Sequence, residues 1–424
     1  MEKKTYRKNY ISLITEGILF DVGFIFFDPT TILPLLVERL TGSAFLVGLL
    51  TMVKYLGAGV FSLLAGNWNR NVKYKKRFLI KYSALSRLPI WFLGLYLIYF
   101  ENDNVILVGL FIILIQTLFW SGDGALSTAW IDIVGKTINP YQRGKFFSTR
   151  QIISGLIAIF AGFVIKYILS LESLSFPANY GYIITIGAFL YTLSFLMFIN
   201  IEEPPSQIKD KESLIDLFKN LSFYFKNNPA FMKSMLVLNF SMLSSISLPF
   251  YIIYAKTNFN IADSTVGIFI IVQTVGKIVG GLVYGYMGDN YGHHISTVIY
   301  SVVATLAPII AIFSGFFFVD YIVITYSFLF FMLGFFINGW PIFFNYMIDT
   351  VKDEDRTLYA GLINVVKIPA SLAPFAGGII ISFIGYLPLF ITALIFACNQ
   401  FNLILLNYLM QEKVIYKRNT RKLL

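Results

Sequence analysis

The sequence has few charged residues and almost none of the side chains that metal sites and disulfides require. Asp, Glu, Lys and Arg make up 13% of its 424 residues, whereas about a quarter of an ordinary soluble domain is charged. The single cysteine, Cys398, excludes an intramolecular disulfide and any cysteine-based metal or cluster site. The two histidines, His293 and His294, are adjacent and lack the accompanying ligands of a metal enzyme. We therefore expect no metal and no cofactor.

Motifs of catalysis and of ATP hydrolysis are also absent. The chain contains no HExxH, no GxSxG and no cysteine–histidine set that could activate a nucleophile. It has no Walker A sequence, so this chain alone is not expected to pump with ATP. An enzyme is therefore not predicted.

Apolar residues dominate the chain, with 57% hydrophobic and 17% aromatic residues. In lipid every backbone polar group must be satisfied internally, so we predict an all-α polytopic membrane protein. Spans need about 20 residues each. The apolar runs predict twelve transmembrane helices, at 10–37, 43–66, 78–100, 105–134, 151–171, 181–201, 231–256, 265–287, 295–315, 320–348, 358–384 and 387–411. Pro29 and Pro34 are expected to kink the first.

The basic residues predict the orientation of these spans. If both termini are cytoplasmic, 25 of the 33 Lys and Arg residues lie inside, two lie in outside loops and six lie within spans. This is the positive-inside pattern, and it predicts a multi-pass protein of the cell (inner or plasma) membrane with both termini in the cytoplasm. The net charge of +10 is then a topology signal with some contact to anionic lipid, and no nucleic-acid partner is expected.

One polar segment divides the chain into two similar halves. Residues 202–230 are predicted to be a cytoplasmic linker between a six-helix bundle at 1–201 and a second at 231–424, which ends in a short basic tail. An offset of 223 residues places Lys54–Asn71 on Lys277–His294, and later matches follow in the same order. Parallel repeats of this kind are one of the known architectures of secondary transporters.

A loop motif within this repeat carries a family resemblance. Gly285, Asp289 and Gly292 fit the spacing G-x-x-x-D-x-x-G before a basic pair, although histidines occupy the basic positions. The first-half copy, which runs from Gly66 to Arg70, lacks the acid and the second glycine. In this motif, and in topology over the whole chain, the sequence resembles the major facilitator superfamily (MFS). The resemblance implies two pseudo-symmetric six-helix bundles that rock about a central binding site.

The resemblance also implies a cytoplasmic gating loop that latches the outward-open state through charge contacts. Its acids, Asp132, Asp289 and Asp349, are expected to face Arg70, Arg143, Arg150 or Arg356. Gly285 and Gly292 complete the predicted loop.

Six charged residues lie deep within the predicted spans, where an ionisable group costs about 2.5 to 3.5 kcal/mol or more. At ~1.5 Å per residue from the cytoplasmic end of each span, all six lie at one depth. They are Asp21, Lys54, Arg87, Asp123, Lys277 and Lys367. A structural ion pair between Asp21 and Lys54 is one reading, and a structural role is expected for Arg87. Lys277 and Lys367 need an acid from the first half, a neutral state or an anionic ligand.

Polar residues at helical spacing predict a substrate cavity. Gln116, Trp120, Asp123 and Ser127 form one stripe on the fourth span, for which ordinary helix packing is the alternative. By the resemblance, helices one, four, seven and ten line the cavity. The predicted cavity residues are Gln116, Trp120, Ser127, Asn239, Ser245, Lys277, Asn338, Asn345 and Lys367.

A buried carboxylate whose surroundings differ between two conformations can couple proton movement to their exchange. The predicted proton-coupling residues are Asp21, Asp123 and Asp28, with Lys54 and Arg87 as their ion-pair candidates. We therefore expect a monomeric secondary active transporter whose partners are a small-molecule substrate, protons and membrane lipids.

Proton-coupled export of an amphipathic or anionic compound is our first expectation. Proton-coupled uptake of a sugar or an organic anion is the alternative, because the proline and glycine motif of drug antiporters falls in span eleven, at Pro374 to Gly378, and not in span five. A receptor or scaffold on the same fold is a third reading.

Overall fold

A computed structural model describes residues 3–99, 104–206, 226–317, 319–337, 363 and 366–423 of the chain. These residues form helices joined by short turns. The α-helices are α1 Lys3–Phe26, α2 Ile32–Thr41, α3 Ala44–Trp68, α4 Lys76–Ile98, α5 Val105–Thr137, α6 Arg143–Ser170, α7 Ala178–Leu196, α8 Pro229–Ser244, α9 Phe250–Phe259, α10 Thr265–Tyr291, α11 His293–Phe317, α12 Ile322–Ile337, α13 Ala373–Ile384 and α14 Tyr386–Leu423. Within this part of the chain, nine helical segments are long and apolar enough to cross a membrane. The predicted all-α membrane fold is confirmed, and the number twelve stays a prediction.

The first predicted span is two helices with a turn between them. Proline has no backbone N–H to donate, so Pro29 cannot continue the hydrogen-bond ladder that α1 begins. The carboxylate of Asp28 instead accepts hydrogen bonds from the backbone N–H groups of Thr30, at 2.6 Å, and Thr31, at 3.1 Å. The kink predicted at this proline is therefore a complete break, from which α2 leaves as a separate helix.

The seventh predicted span breaks in the same way. A short 3₁₀ turn at Ser245–Ser247 separates α8 from α9, and Pro249 precedes the first residue of α9. The outer pieces α2 and α9 pack against each other. Each half of the chain thus sends a short, separately oriented helix to the side predicted to be extracellular.

Besides α2 and α9, two long helix pairs join the halves in the described part of the chain, α3 with α13 and α6 with α10. Glycine permits both crossings. A Cβ atom on Gly48 would lie 2.5 Å from the carbonyl oxygen of Pro374, and one on Gly378 would lie 2.4 Å from that of Ala44. A Cβ atom on Gly162 of α6 would lie 2.4 Å from Ile271 of α10. These contacts lie toward the helix ends predicted to be extracellular, so the halves are packed together on that side.

Three helices extend clearly beyond the predictions, and α1, which begins at Lys3 and not at residue 10, is the first. α6 begins at Arg143, eight residues before the predicted start at 151, and α14 continues to Leu423. Residues 207–225 lie outside the described part of the chain, so the limits of the linker at 202 and 230 stay a prediction.

Candidate functional site

Five charged side chains of the first half surround one cavity of about 280 Å³. Glu16, Arg87, Asp123 and Arg150 line this cavity, and Asp21 binds Arg150. We call these five residues the charge cluster. They come from four different helices, α1, α4, α5 and α6.

Asp21 and Arg150 form a two-pronged ion pair. The guanidinium donates from Nε to Oδ2 at 2.9 Å and from Nη2 to Oδ1 at 2.6 Å. The Ser154 hydroxyl donates to Oδ2 at 3.0 Å. Two parallel bonds of this kind fix both groups in orientation as well as in distance. Arg150 reaches this position over the backbone of Gly17, where a Cβ atom would lie 2.4 Å from Nε.

This geometry corrects two sequence predictions. Asp21 pairs with Arg150 and not with Lys54, and Arg150 is not a member of the cytoplasmic gating loop. The physical reason is the early start of α6. Arg150 lies two turns inside that helix and not in the loop before it.

The second pair of the cluster is looser. Arg87 Nη2 lies 3.9 Å from Asp123 Oδ1, and Arg87 Nη1 donates to Ser86 Oγ at 2.8 Å. The guanidinium is surrounded by aromatic rings, with the ring centroids of Phe20 and Tyr191 at 5.7 and 6.0 Å. Arg87 is 3% exposed, which agrees with the structural role expected for it.

Glu16 is the member of the cluster that the sequence does not single out. The predicted first span begins at residue 10, so Glu16 is expected near the cytoplasmic interface of the membrane. Its side chain is buried, with 4% of the residue exposed. Trp130 Nε1 donates to Oε2 at 2.8 Å and Ser194 Oγ donates to Oε1 at 3.2 Å. Trp130 also presents its ring to the guanidinium of Arg150 at 5.3 Å.

Lys54 lies apart from the charge cluster. Its ammonium group faces the rings of Phe24, Tyr55 and Trp120 at 5.1 to 5.3 Å. The charges that act on Lys54 include those of Asp28 and Lys277. The six deep charges therefore have different surroundings, and their common depth stays a prediction. Asp21, Arg87 and Asp123 lie in the first half, while Lys54 on α3 and Lys277 on α10 act on each other across the two halves.

Lys367 belongs to the region where the halves meet. It lies in a turn two residues before the 3₁₀ turn Pro369–Leu372, which contacts α3. Lys54, Lys277 and Lys367 come from both halves, and we call them the lysine group.

The other predicted cavity residues differ in their surroundings. Trp120 packs against Phe24 and Phe119, with ring centroids 5.8 and 5.2 Å away. Ser127 lines the cavity of the charge cluster. Gln116 is fully buried in α5, which fits the packing alternative. Asn239 and Ser245 donate to backbone carbonyls of their own helix, at 2.9 and 3.3 Å.

Asp28, the third predicted proton site, is 6% exposed and accepts the hydrogen bonds of the turn between α1 and α2. Its position is explained by that turn.

The predicted gating residues contact different groups from those expected. Asp132 pairs with Lys75 at 3.0 Å and Lys136 at 2.8 Å, and accepts from Ser206 at 3.0 Å. Arg143 donates to the carbonyls of Gly135 and Ile138, which end α5. Both side chains thus make contacts within the first half, and Asp132 pairs with two lysines and not with the arginines expected to face it.

The loop motif of the second half has a described backbone. Gly292 ends α10 with a φ of +90°, a conformation that side chains rarely allow, while Asp289 is exposed and Gly285 has open space around it. Arg70 lies in a 3₁₀ turn, and its side chain is not described. Asn338, Asn345, Asp349 and Arg356 lie outside the described residues.

Glu203 holds the start of the predicted linker against the N-terminus of α4. The Glu203 side chain is 2% exposed, accepts from the backbone N–H groups of Lys75 and Lys76 at 2.8 and 2.7 Å, and pairs with Lys136 at 2.7 Å. It therefore caps α4, where a negative charge is favourable. Its neighbour Glu202 is half exposed, and hydrogen bonds from Lys8 and Thr5 hold its pKa below the ordinary value.

An ionic contact closes the opposite side of the molecule. Asp263, before α10, pairs with Arg39 at the end of α2 and with Lys256 of α9. Arg39 also lies over the ring of Phe176 at 4.3 Å. Sequence reasoning counted Arg39 and Lys256 only as outside residues, and no spacing in the sequence links them to Asp263.

Comparison with known proteins identifies the architecture. Residues 234–406 match the family model of the Major Facilitator Superfamily. No curated protein matches the chain in sequence. A variant of the nucleoside transporter NupG has 13% identity, covers 95% of this chain and 99% of its own, and superposes with a TM-score of 0.70. A bacterial homologue of the iron transporter ferroportin, in the inward-facing state, has 12% identity, coverage of 94% and 98%, and a TM-score of 0.69.

A D-xylose–proton symporter has 14% identity, coverage of 95% and 97%, and a TM-score of 0.66. At these identities the likeness concerns the fold, while the family match concerns the second half. The resemblance to the major facilitator superfamily is therefore confirmed for the second half, and the chain has the fold of these transporters, with helices long and apolar enough to cross a membrane several times.

Proposed function

We propose that the protein is a proton-coupled secondary transporter of a small anionic or amphipathic solute, working by alternating access of its two halves. The lysine group carries this proposal. Lys54 and Lys277 occupy duplicated positions on facing halves and act on each other electrostatically. A lysine from each half in an apolar interior favours a negatively charged ligand near both, in addition to the Asp28 carboxylate that acts on Lys54. The rings of Phe24, Tyr55 and Trp120 add apolar surface beside the charge.

A thermal-stability screen tests the substrate class, because a ligand that binds only the folded state raises the unfolding temperature. The purified protein is heated with three panels of probes: organic anions, neutral sugars and cationic amphiphiles. We expect anions to stabilise the protein, and Lys54→Gln and Lys277→Gln to abolish the effect. Lys81→Gln is the matched control, since Lys81 is an exposed lysine on α4. Stabilisation by sugars or cations alone contradicts an anionic substrate.

The charge cluster supports proton coupling, and we propose that the ion pairs of Asp21 and Asp123 are required for it. Both lie against an arginine at a cavity, where a small movement changes their electrostatic surroundings. The test uses proteoliposomes with an imposed pH gradient and the most strongly stabilising anion. We expect flux that follows the gradient in the wild type and falls at least about tenfold in Asp21→Asn and Asp123→Asn. Unchanged flux in both variants contradicts their role.

Export is our first proposal for direction, with protons moving inward. Uptake is the second candidate, favoured by the similarity in fold to a D-xylose–proton symporter. Flux measured in vesicles of both pH polarities separates the two, because export exchanges solute against protons whereas symport moves them together.

A further inference from the structure

We propose that Glu16 holds the exchangeable proton of the charge cluster, with Asp21 and Asp123 as the permanent counter-ions of the two arginines. This inference rests on the proposed proton-coupled function and names the group that carries the proton. It begins from a charge count. The cluster contains three carboxyl groups and two guanidinium groups, so one carboxyl group has no cation to balance it.

Contacts decide which carboxyl group this is. Asp21 receives two bonds from Arg150, and Asp123 lies 3.9 Å from Arg87. Glu16 receives its two hydrogen bonds from neutral donors, the Trp130 indole and the Ser194 hydroxyl. A neutral donor compensates an ionised carboxylate far less than a guanidinium does, and a buried ion without close compensation takes up a proton.

Burial points to the same residue. The Asp21 side chain is 37% exposed, while Glu16 is 4% exposed. Water therefore stabilises the charge on Asp21 much more than the charge on Glu16. Glu16 nevertheless lines the cavity, which provides a path for a proton to leave.

Charged groups on three helices sense the charge of Glu16, while α5 and α7 supply the neutral donors Trp130 and Ser194. Arg150 comes from α6, Arg87 from α4 and Asp21 from α1 itself, and all three act electrostatically on Glu16. When Glu16 releases its proton to water in the cavity, it becomes a second negative charge competing with Asp21 for Arg150. The Trp130 side chain connects Glu16 with Arg150, because its indole N–H donates to Glu16 and its ring faces the Arg150 guanidinium. Proton release thereby loosens the contact between α1 and α6, and α6 is one of the helices of its half that contact the second half.

Infrared difference spectroscopy tests this without any substrate. A protonated carboxyl group shows a carbonyl stretch that disappears when the group ionises. Spectra of the purified protein between a pH of about 6, where ordinary carboxyl groups are already ionised, and alkaline pH should show this band in the wild type, in Asp21→Asn and in Asp123→Asn, and should lose it in Glu16→Gln. Glu202→Gln, which changes an exposed glutamate, is the control. A band that persists in Glu16→Gln, or that disappears in Asp21→Asn, overturns the assignment.

A second variant keeps the test valid if Glu16→Gln does not fold. Trp130→Phe removes the shorter hydrogen bond to Oε2, and donors stabilise a carboxylate more than a neutral acid. The midpoint of the infrared titration should therefore move to higher pH while the band is retained. An unmoved midpoint overturns the proposal. An infrared band assigned to Glu16 together with no gradient-driven flux of any anion supports this inference and contradicts the proposed function.

Discussion

The absence of a Cβ atom at Gly17 determines where the Arg150 side chain can lie. Because Gly17 has no Cβ, the guanidinium passes directly over the α1 backbone to reach Asp21. The position of an arginine in the charge cluster thus depends on a glycine that carries no charge itself.

Gly17→Ala should displace Arg150 from Asp21, because the added methyl group would lie 2.4 Å from Nε. We expect the free energy of unfolding to fall by about 1 to 2 kcal/mol, since the pair is partly exposed. Chemical denaturation measures this loss. Asp21→Asn should add little in the Gly17→Ala background, as expected for two changes that break one interaction. Gly59→Ala is the control, because nothing lies within 4 Å of its Cβ position, and a loss as large there contradicts the explanation.

Substitutions of the adjacent glutamates Glu202 and Glu203 should differ sharply in their effect on the free energy of unfolding. Glu203→Gln weakens the cap of α4 and the buried pair with Lys136, so we expect a loss of about 2 to 3 kcal/mol in unfolding free energy. Glu202→Gln should have only a small effect, because that side chain is half exposed. Equal losses in the two variants would show that burial is not what distinguishes them.

Glu202 also contributes a small pH dependence. Its pKa is lowered in the folded state by Lys8 and Thr5, so its stabilisation is present above the pKa of the unfolded chain and is lost as the pH falls through the folded value. Thermal unfolding measured over the acidic range should show this decrease in the wild type and lack it in Glu202→Gln. The same decrease in the variant would assign it to another group.

The pairing of the charged residues could not be predicted from the sequence. The predicted spans place Asp21 and Asp123 deep in the membrane, but depth alone says nothing about which face of a helix a residue occupies. Glu16 was judged shallow because the first span was started at residue 10, whereas α1 begins at Lys3. Glu16 is thus about 20 Å along its helix.

At the scale of elements, the halves meet through glycine on helices whose backbones approach closely. Gly378→Ala places a methyl group 2.4 Å from the carbonyl oxygen of Ala44, and a backbone atom cannot move aside as a side chain can. We expect a loss of about 1 to 3 kcal/mol, the usual effect of overpacking. Gly285→Ala on α10, with nothing within 4 Å, is the matched control in the same denaturation measurement. An unchanged stability in Gly378→Ala would mean that α3 and α13 separate at no cost.

A helix boundary could be predicted where a particular residue ends the helix, and not where the apolar run continues across it. The break after α1 follows from Pro29. The break between α8 and α9 was not predicted, although serines at 244, 245 and 247 and a proline at 249 stand there, because the apolar run continues across it. Hydropathy marks which residues avoid water, but it does not register a change of helix direction within an apolar stretch.

At the scale of the whole molecule, the ion contacts of Asp263 lie on the side where the halves are packed together. Asp263→Asn removes the charge that Arg39 and Lys256 share, so we expect that side to open more often. Spin labels at Ser173→Cys and Asn258→Cys, in a Cys398→Ser background, report the distance between the outer loops. The distance distribution should gain a longer component.

Asp320→Asn is the matched control for this opening, because Asp320 is an exposed acid on the same predicted side. It should leave the distances between the labels unchanged. A longer component in both variants would assign the opening to a general loss of negative charge.

The duplication explains why the family match covers only residues 234–406 while the fold extends over almost the whole chain. The loop motif is intact in spacing in the second half and degraded in the first. The first half keeps its helices because helix packing depends on apolar pattern and small residues, which tolerate substitution far better than a loop signature does.

The duplicated lysines Lys54 and Lys277 place the same charge on both halves. Their ammonium groups repel each other while both are charged, and the Asp28 carboxylate offsets part of this repulsion at Lys54. A bound anion would act as their shared counter-ion and turn repulsion into attraction through itself. Binding of the anion would then determine the equilibrium separation of the two halves. The electrostatic change alone would couple binding to the conformation, without a separate hinge.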